Sequence, residues 1–313
     1  MNNLIKIGIG IGLISLAACS SSPPPDNPTH GKINITADES LEPMVESIYK
    51  AYEGVYPNAK FNVVYKPEQE AITTMLRDSA RLVFSTRELN DNEKSVFAKN
   101  KIKYKSEFIA TDGIALIVGR ENPDSLITMA ELNDIFQGRI KNWEQLKRGS
   151  QKGPIVLVFD NNNSSNLNFA LKQFKVSDLS RIKIFTVKSN KQVIEYVRKN
   201  PTALGFIGVN WISDGDSPLA AELSKNLRVM GVSEDASPDS IDDFFQPFQK
   251  NLGLKIYPLR RNVYVISREA HSGLGSGLIN YIIRDVGGLL IEKSGLWPTK
   301  PYNREVFLEK KLN

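Results

Sequence analysis

The chain has one cysteine, Cys19, and two histidines, His30 and His271, in 313 residues. If that cysteine is taken, no thiol is left for a disulfide, a thiolate metal site or a thiol nucleophile, and the fold must stand on its core alone. Two histidines, one near the amino terminus and one beside Ser272 in a glycine-rich turn, give almost no material for a histidine metal site or a Ser-His-Asp triad. No apolar run reaches the roughly 20 residues of a membrane-spanning helix. Blocks of one charge sign are also missing: 40 Lys and Arg are interspersed with 35 Asp and Glu, for a net charge of +5. That balance is weak support for an anionic partner and none for nucleic acid. With 41% hydrophobic and 24% charged residues, the composition is that of an ordinary globular chain, which excludes a disordered or membrane-embedded body.

The first positive feature is a leader. Ile7 to Ala18 is an apolar, glycine-rich stretch behind Lys6, long enough for an export signal and too short to span a bilayer. It ends in Leu16-Ala17-Ala18-Cys19. Small residues before a cysteine are what a lipoprotein signal peptidase requires, because the thiol is alkylated by a lipid before the preceding bond is cut. Residues 1–18 are therefore read as the signal, and Cys19 as the lipidated first residue of the mature chain. The other reading is an ordinary secretory signal with an accidental cysteine. Ser20 to Pro28 reads S-S-S-P-P-P-D-N-P, a composition that buries nothing and stays extended, so residues 19–31 are expected to form a flexible tether. The expected location is the cell envelope, periplasmic or at the outer membrane; Ser20, in place of an acidic residue after Cys19, favours the latter.

The remainder is long enough for two medium domains. Lys32-Ile33-Asn34-Ile35 alternates like a strand and is followed by a helix carrying Leu41, Met44, Val45, Ile48 and Tyr52 on one face. A strand over Phe61–Tyr65, Pro67 as a first helical residue, and a strand over Leu82–Ser85 continue the pattern. After Asp112 it recurs: a strand at Ile114–Val118, a helix opened by the capping box Thr128-x-x-Glu131, and strands at Ile155–Phe159, Ile182–Val187 and Leu204–Val209 with helices between them. Such alternation predicts an α/β protein with mostly parallel sheets flanked by helices. The strand Val263–Ile266 and two later helices are too small for a third domain and are expected to complete the first lobe. The expected organisation is lobe 1 from residues 32–110 plus 260–313 and lobe 2 from 111–259, joined by a two-strand hinge.

In open α/β sheets, ligands bind beyond the carboxyl ends of the strands, where helix amino termini present unpaired N–H groups. Four segments fall there: Ala37–Ser40, Lys66–Glu70, Ser85–Glu88 and Asp160–Asn166. The last, D-N-N-N-S-S-N, reads either as a polar loop that holds an anion or as a helix cap and turn, which the same residue types favour. It is not a calcium loop, since the sixth place lacks glycine and Leu171 stands where the bidentate glutamate belongs. Gly273–Gly277 has neither the spacing of a dinucleotide fingerprint nor that of a nucleophile elbow. No nucleophile has a plausible base partner, so an enzyme, a hydrolase in particular, is not expected.

The order of motifs resembles the phosphate-binding proteins that serve ABC importers, within the two-lobed periplasmic binding proteins of type II. The run Asp112-Gly113-Ile114-Ala115-Leu116-Ile117-Val118, then Asn122-Pro123 and Ile135-Phe136-x-Gly138-x-Ile140-x-Asn142-Trp143, carries the resemblance. Ala203-Leu204-Gly205-Phe206-Ile207-Gly208, Tyr257-Pro258-Leu259 and Thr86-Arg87-x-Leu89 extend it from about residue 33 to about 300. The Phe-x-Gly-x-Ile-x-Asn-Trp segment is implied to be structural. The resemblance places ligand positions on Asp38, Glu39 and Ser40, on Glu68, on Thr86 and Arg87, and on Asp160, Ser164, Ser165 and Asn166. It also implies departures. The family's small first turn is Ala37-Asp38-Glu39-Ser40 here, Gly-Ser-Gly after the second strand is Lys66-Pro67-Glu68, and an arginine four residues before the Ser-Gly-Thr segment is Asp160.

The expectation is a lipid-anchored, monomeric solute-binding protein without a cofactor, which takes phosphate or a similar oxyanion between its lobes and delivers it to an ABC permease. Arg87 is expected to pair with the anion, and Ser40, Ser164, Ser165 and Asn166 to donate to it. A carboxylate about 4 Å from a phosphate oxygen repels it by up to about 4 kcal/mol at an effective dielectric near 20, so the acidic residues cannot all face a dianion. The rival expectation is a tethered envelope scaffold of the same fold whose acidic cleft takes a non-phosphate ligand, a cationic group or a protein partner.

Overall fold

The computed structural model describes residues 26–213 and 226–301. The leader and Cys19 lie outside the described residues. The first half runs β1 (Gly31–Asp38), α1 (Glu42–Val55), β2 (Ala59–Lys66), α2 (Glu68–Leu76), β3 (Leu82–Ser85) and α3 (Asp91–Lys99). A long strand, β4 (Lys105–Gly119), leads into β5 (Leu126–Thr128), α4 (Met129–Phe136), β6 (Val156–Phe159), α5 (Ser165–Gln173), β7 (Ile184–Thr186), α6 (Asn190–Lys199) and β8 (Ala203–Gly208). After β9 (Leu227–Val229) and β10 (Gly231–Ser233) come β11 (Arg260–Ser267), helices Leu274–Ile282 and Asp285–Lys293, and β12 (Trp297–Pro298).

The main sheet has the order β2-β1-β3-β11-β4-β8-β6-β7. β1 is parallel to β2 and β3, and β6 is parallel to β7 and β8. Between these parallel groups, β11 is antiparallel to β3 and β4, and β4 is antiparallel to β8. The sheet is thus less parallel than the strand-helix alternation predicts, because the returning strand β11 inserts beside β3 rather than following a crossover helix. β4 changes partner along its length, from β11 at residues 105–113 to β8 at 114–117. One continuous strand therefore serves both groups, giving an α/β architecture of two halves. The chain returns beside this junction, where Leu259 accepts from the Ile114 amide at 2.9 Å and the Tyr257 hydroxyl donates to the Ile114 carbonyl at 2.6 Å. β4 begins ahead of the strand expected at Ile114, since Lys105-Ser106-Glu107 carries no apolar signal and is ordered by the β11 ladder.

Several local expectations hold with sharper edges. The capping box that opens α4 is reciprocal: the Glu131 amide donates to Thr128 Oγ1 at 3.1 Å and the Thr128 amide to Glu131 Oε2 at 2.9 Å. Pro67 is the residue before α2 rather than its first member. Trp143 is fully buried and donates to the Thr202 carbonyl at 2.9 Å. Gly138 ahead of it has φ +70°, where a side chain would also meet Arg181.

The tether needs correction. It was expected to run to residue 31, but its described part, residues 26–31, is held on the fold: Asn27 and His30 form an antiparallel bridge, and Asp26 is 4% exposed. Its carboxylate accepts from the Leu274 amide at 2.6 Å and from Arg81 at 2.7 Å. A helix amino terminus favours an anion, and Asp26 supplies it from within a run whose composition reads as solvated.

Candidate ligand site between the two halves

Arg261 is the group around which the halves meet. It lies one residue into β11, where the antiparallel register sets it opposite Asp112 of β4, and its side chain is 2% exposed. Nε donates to Asp112 Oδ2 at 2.8 Å, Nη2 to Ser40 Oγ at 2.8 Å and Nη1 to Ser165 Oγ at 3.0 Å. Ser40 belongs to the turn after β1, and Ser165 opens α5 on the other half. Their hydroxyl oxygens are 3.1 Å apart. Both hydroxyls donate to Asp38 Oδ2, Ser40 at 2.6 Å and Ser165 in a shorter contact. Asp38 Oδ1 is buried without a hydrogen-bond partner.

The halves touch elsewhere on the same turn. The Ser40 carbonyl accepts from Asn210 Nδ2 at 2.8 Å and from Trp211 Nε1 at 3.2 Å. Gly208 makes that approach possible, because a β-carbon there would stand 2.8 Å from the Ser40 carbonyl oxygen. Glu39 reaches across as well and accepts from the Asn190 amide at the start of α6 at 3.2 Å.

Asp160 points into the second half instead of at Arg261's hydroxyl cluster. Its two oxygens accept from Asn166 at 3.1 Å and Asn190 at 3.2 Å, and those amides are joined at 3.1 Å. Ser164 caps α5 by accepting from the Leu167 amide at 3.1 Å. The anion-binding and helix-cap readings of this loop thus divide by residue: Ser165 faces the junction, while Ser164 caps.

Arg87 departs from its expected role. A guanidinium has five N–H donors, and here all five are engaged: Nε with Glu68 at 3.3 Å, Nη1 with the Glu88 carbonyl and Glu93 at 2.9 and 2.8 Å, and Nη2 with Gln69 and Glu93 at 2.9 Å each. Glu68 Oε1 accepts from Ser85 Oγ at 2.9 Å and from the Thr86 amide and hydroxyl at 2.7 Å each. Glu68, Thr86 and Arg87 therefore close on themselves and on Glu93, leaving no arginine donor for an anion. They form one wall of a cleft of about 950 Å³, with Ser165, Lys172 and Lys175 opposite and Arg261 at its floor.

Arg261 was missed by sequence reasoning, as were Asp112, Asn190 and Asn210 as junction residues. The available signal was a charge of each sign set into apolar strands, Arg261 before Val263–Ile266 and Asp112 before Ile114–Val118. Only the strand register shows that the two are opposite one another.

The junction is rich in acid. Burial raises the Asp38 carboxyl well above the ordinary aspartate range, and the nearby Glu68 carboxylate adds to that, while Arg261 and the two serines oppose it. Glu39 is pushed up to about 8, first by burial and then by Asp160 and Asp38. Burial also raises Asp160 and Asp112. The arrangement suits a ligand that accepts from Arg261 and the serines while donating a proton to Asp38.

Known proteins bear on this geometry. The family profile described as PBP superfamily domain matches residues 22–286. The Phosphate-binding protein PstS of Borreliella burgdorferi is 21% identical over 278 residues, covering 84% of this chain and 88% of that one. The Phosphate-binding protein PstS 2 of Streptococcus pneumoniae serotype 4 is 27% identical over 117 residues, and the chain spans only 38% of its length. A solved protein of Clostridium perfringens holding bound phosphate superposes with a TM-score of 0.70 at 20% identity, covering 86% of this chain and all of that one.

Proposed function

The chain belongs to the PBP superfamily, and on that premise we propose that it is a lipid-anchored receptor that captures a small oxyanion, phosphate first, between its two halves. The carrying observation is convergence. Ser40 and Ser165 come from separate halves, stand 3.1 Å apart and share one buried arginine. Arg261 spends three of its five donors on Asp112 and the serines, whereas Arg87 has none left. Charge-assisted bonds of this kind contribute roughly 1.5–3 kcal/mol each. Monobasic phosphate matches the acceptor on Asp38, because its own hydroxyl can donate to the unpartnered Oδ1.

Capture then requires the halves to part about β4 and the 257–260 return, admit the anion and close again. The division into residues 32–110 plus 260–313 and 111–259 is the one this motion uses. The relatives named above are phosphate-binding proteins rather than enzymes, and no catalytic step is assigned to this chain. A monomer in the cell envelope, held through Cys19 and serving an ABC permease, completes the reading.

Calorimetric titration of the full chain with inorganic phosphate tests it. Binding is expected, with at least a tenfold loss in Ser165→Ala and in Ser40→Ala, since tenfold is about 1.4 kcal/mol. Wild-type protein that gives neither heat nor a thermal shift with millimolar phosphate overturns the oxyanion reading. A second reading then stands on a specific observation: the Asp38 carboxylate already takes both serine hydroxyls, so the site satisfies itself and the fold serves as a tethered envelope module for a cationic or protein partner.

A further inference from the structure

On the first half, away from the junction, lies a second cavity of about 810 Å³ lined by Lys101, Lys103, Lys105, Arg268 and His271. Its lysines come from Lys99-Asn100-Lys101-Ile102-Lys103-Tyr104-Lys105. The alternation has a physical cause. Ile102 and Tyr104 are half-buried against a small core that includes Phe97 and Val83, with the Tyr104 ring stacked on Phe97 at 5.2 Å, so the intervening lysines are all turned outward and exposed. Two of the three acids on the cavity wall are already engaged. Asp78 pairs with Arg268 at 3.2 Å, and Glu269 pairs with Arg81 at 3.2 Å while accepting from amides at the start of the helix Leu274–Ile282. Glu107 is the remaining wall acid facing Lys101, Lys103 and Lys105, which leaves a surplus of positive charge.

This cavity adjoins Asp26, the first of the described residues. His271 on its wall lies 3.3 Å from the Asp26 carboxylate, and Asp26 is pinned to the Leu274 amide and Arg81. Seven peptide units separate Asp26 from Cys19, and at about 3.6 Å per residue they reach at most about 25 Å. A lipid on Cys19 therefore keeps the bilayer surface within about that distance of Asp26, on the side of the first half where this cavity opens beside His271. A basic face held that near a bilayer is attracted to anionic headgroups, and the attraction falls off within a Debye length.

We propose that the Lys101, Lys103 and Lys105 face docks on the anionic phospholipid headgroups of the membrane that carries the anchor. Docking fixes which side of the first half meets the bilayer. The proposal rests on the lipid-anchor part of the functional reading and is independent of what the cleft binds.

The test uses the full, lipidated chain on vesicles of pure phosphatidylcholine and on vesicles with phosphatidylglycerol, with the rates of lysine acylation read by peptide mass spectrometry. Flotation on the neutral vesicles reports the anchor by itself, so failure of the anchor reading is seen separately. On anionic vesicles the three lysines are expected to react at least threefold more slowly than on neutral ones, while exposed Lys60 is unchanged, and 0.5 M salt is expected to abolish the protection. The triple variant Lys101→Glu/Lys103→Glu/Lys105→Glu should still float and keep the wild-type response to phosphate, but its tether-proximal peptides lose the difference in hydrogen exchange between the two vesicle types. Equal acylation on both vesicle types overturns the proposal. So does equal protection by inorganic phosphate without vesicles, which would make the cavity a phosphate site instead of a membrane face.

Discussion

Replacing Arg261 with methionine should damage the fold as well as the site. The arginine side chain is 2% exposed and Asp112 is fully buried, so Arg261→Met leaves a carboxylate without its cation in a dry place. Breaking one partner of a buried pair costs about 3–5 kcal/mol. Ser40 and Ser165 lose a donor each, but both remain bonded to Asp38, so their loss adds about 1 kcal/mol at most. Against a total stability of about 5–15 kcal/mol, that is a large fraction. With a urea slope of about 3 kcal/mol per molar, the unfolding midpoint should fall by roughly 1–2 M. The decisive measurement is the cycle with Asp112→Asn. If the pair is held as described, the double variant should recover at least about 2 kcal/mol relative to the sum of the two single changes. A midpoint shift worth less than about 1 kcal/mol, or strict additivity, would refute the buried-pair reasoning and with it the role of Arg261 as the cation of the site.

Asp38→Ser should weaken phosphate binding by tenfold or more in calorimetry, because it removes the buried acceptor for the phosphate hydroxyl, a charge-assisted bond of roughly 1.5–3 kcal/mol; tighter binding would mean that the carboxylate repels the anion instead of accepting its proton. Glu39 titrates near 8 in the folded chain, against 4.5 as its ordinary value, so the folded state holds the extra proton between those limits. Stability contributed by that proton is complete below about pH 4.5 and is lost as pH rises through about 8, and thermal melts should show this decline in wild type but a flatter profile in Glu39→Gln. Gly208→Ala should push the Ser40 turn away and raise the radius of gyration in small-angle scattering with phosphate present; an unchanged radius would show that the junction yields locally. Asp26→Asn weakens the anion at the start of helix Leu274–Ile282, and proteolysis after residue 26 should speed up several-fold while the cleft keeps its affinity.

Much of the architecture is written in local pattern. Apolar faces such as Leu41, Met44, Val45, Ile48 and Tyr52 specify a helix because burial follows a 3.6-residue period, and Thr128 with Glu131 marks a helix start by chemistry confined to four residues. Alternation of such elements is enough for the α/β class. The site behaves differently. Ser40 and Ser165 are 125 positions apart, and Arg261 is 96 beyond Ser165, so no local period relates them.

Resemblance assigned the anion to Arg87, a reasonable choice for an arginine at the end of a strand. The fold instead surrounds Arg87 with Glu68, Glu93 and Gln69, whose proximity depends on how α2 and α3 pack. Asp160 likewise reads as a charge facing the ligand until Asn166 and Asn190 are seen to hold it.

The sequence by itself carried the pattern read as a leader ending at Cys19, the scarcity of cysteine and histidine, and the strand-helix order, because each depends on residue type or on residues close together in the chain. Tertiary structure alone decided which arginine stands buried where the two halves meet. That outcome rests on the antiparallel register of β11 against β4, which sets Arg261 opposite Asp112, and on the approach of the two halves at Gly208, which brings both serines to it. Electrostatic partners in a dry junction are chosen by distance in space, and distance in space is what sequence separation does not encode.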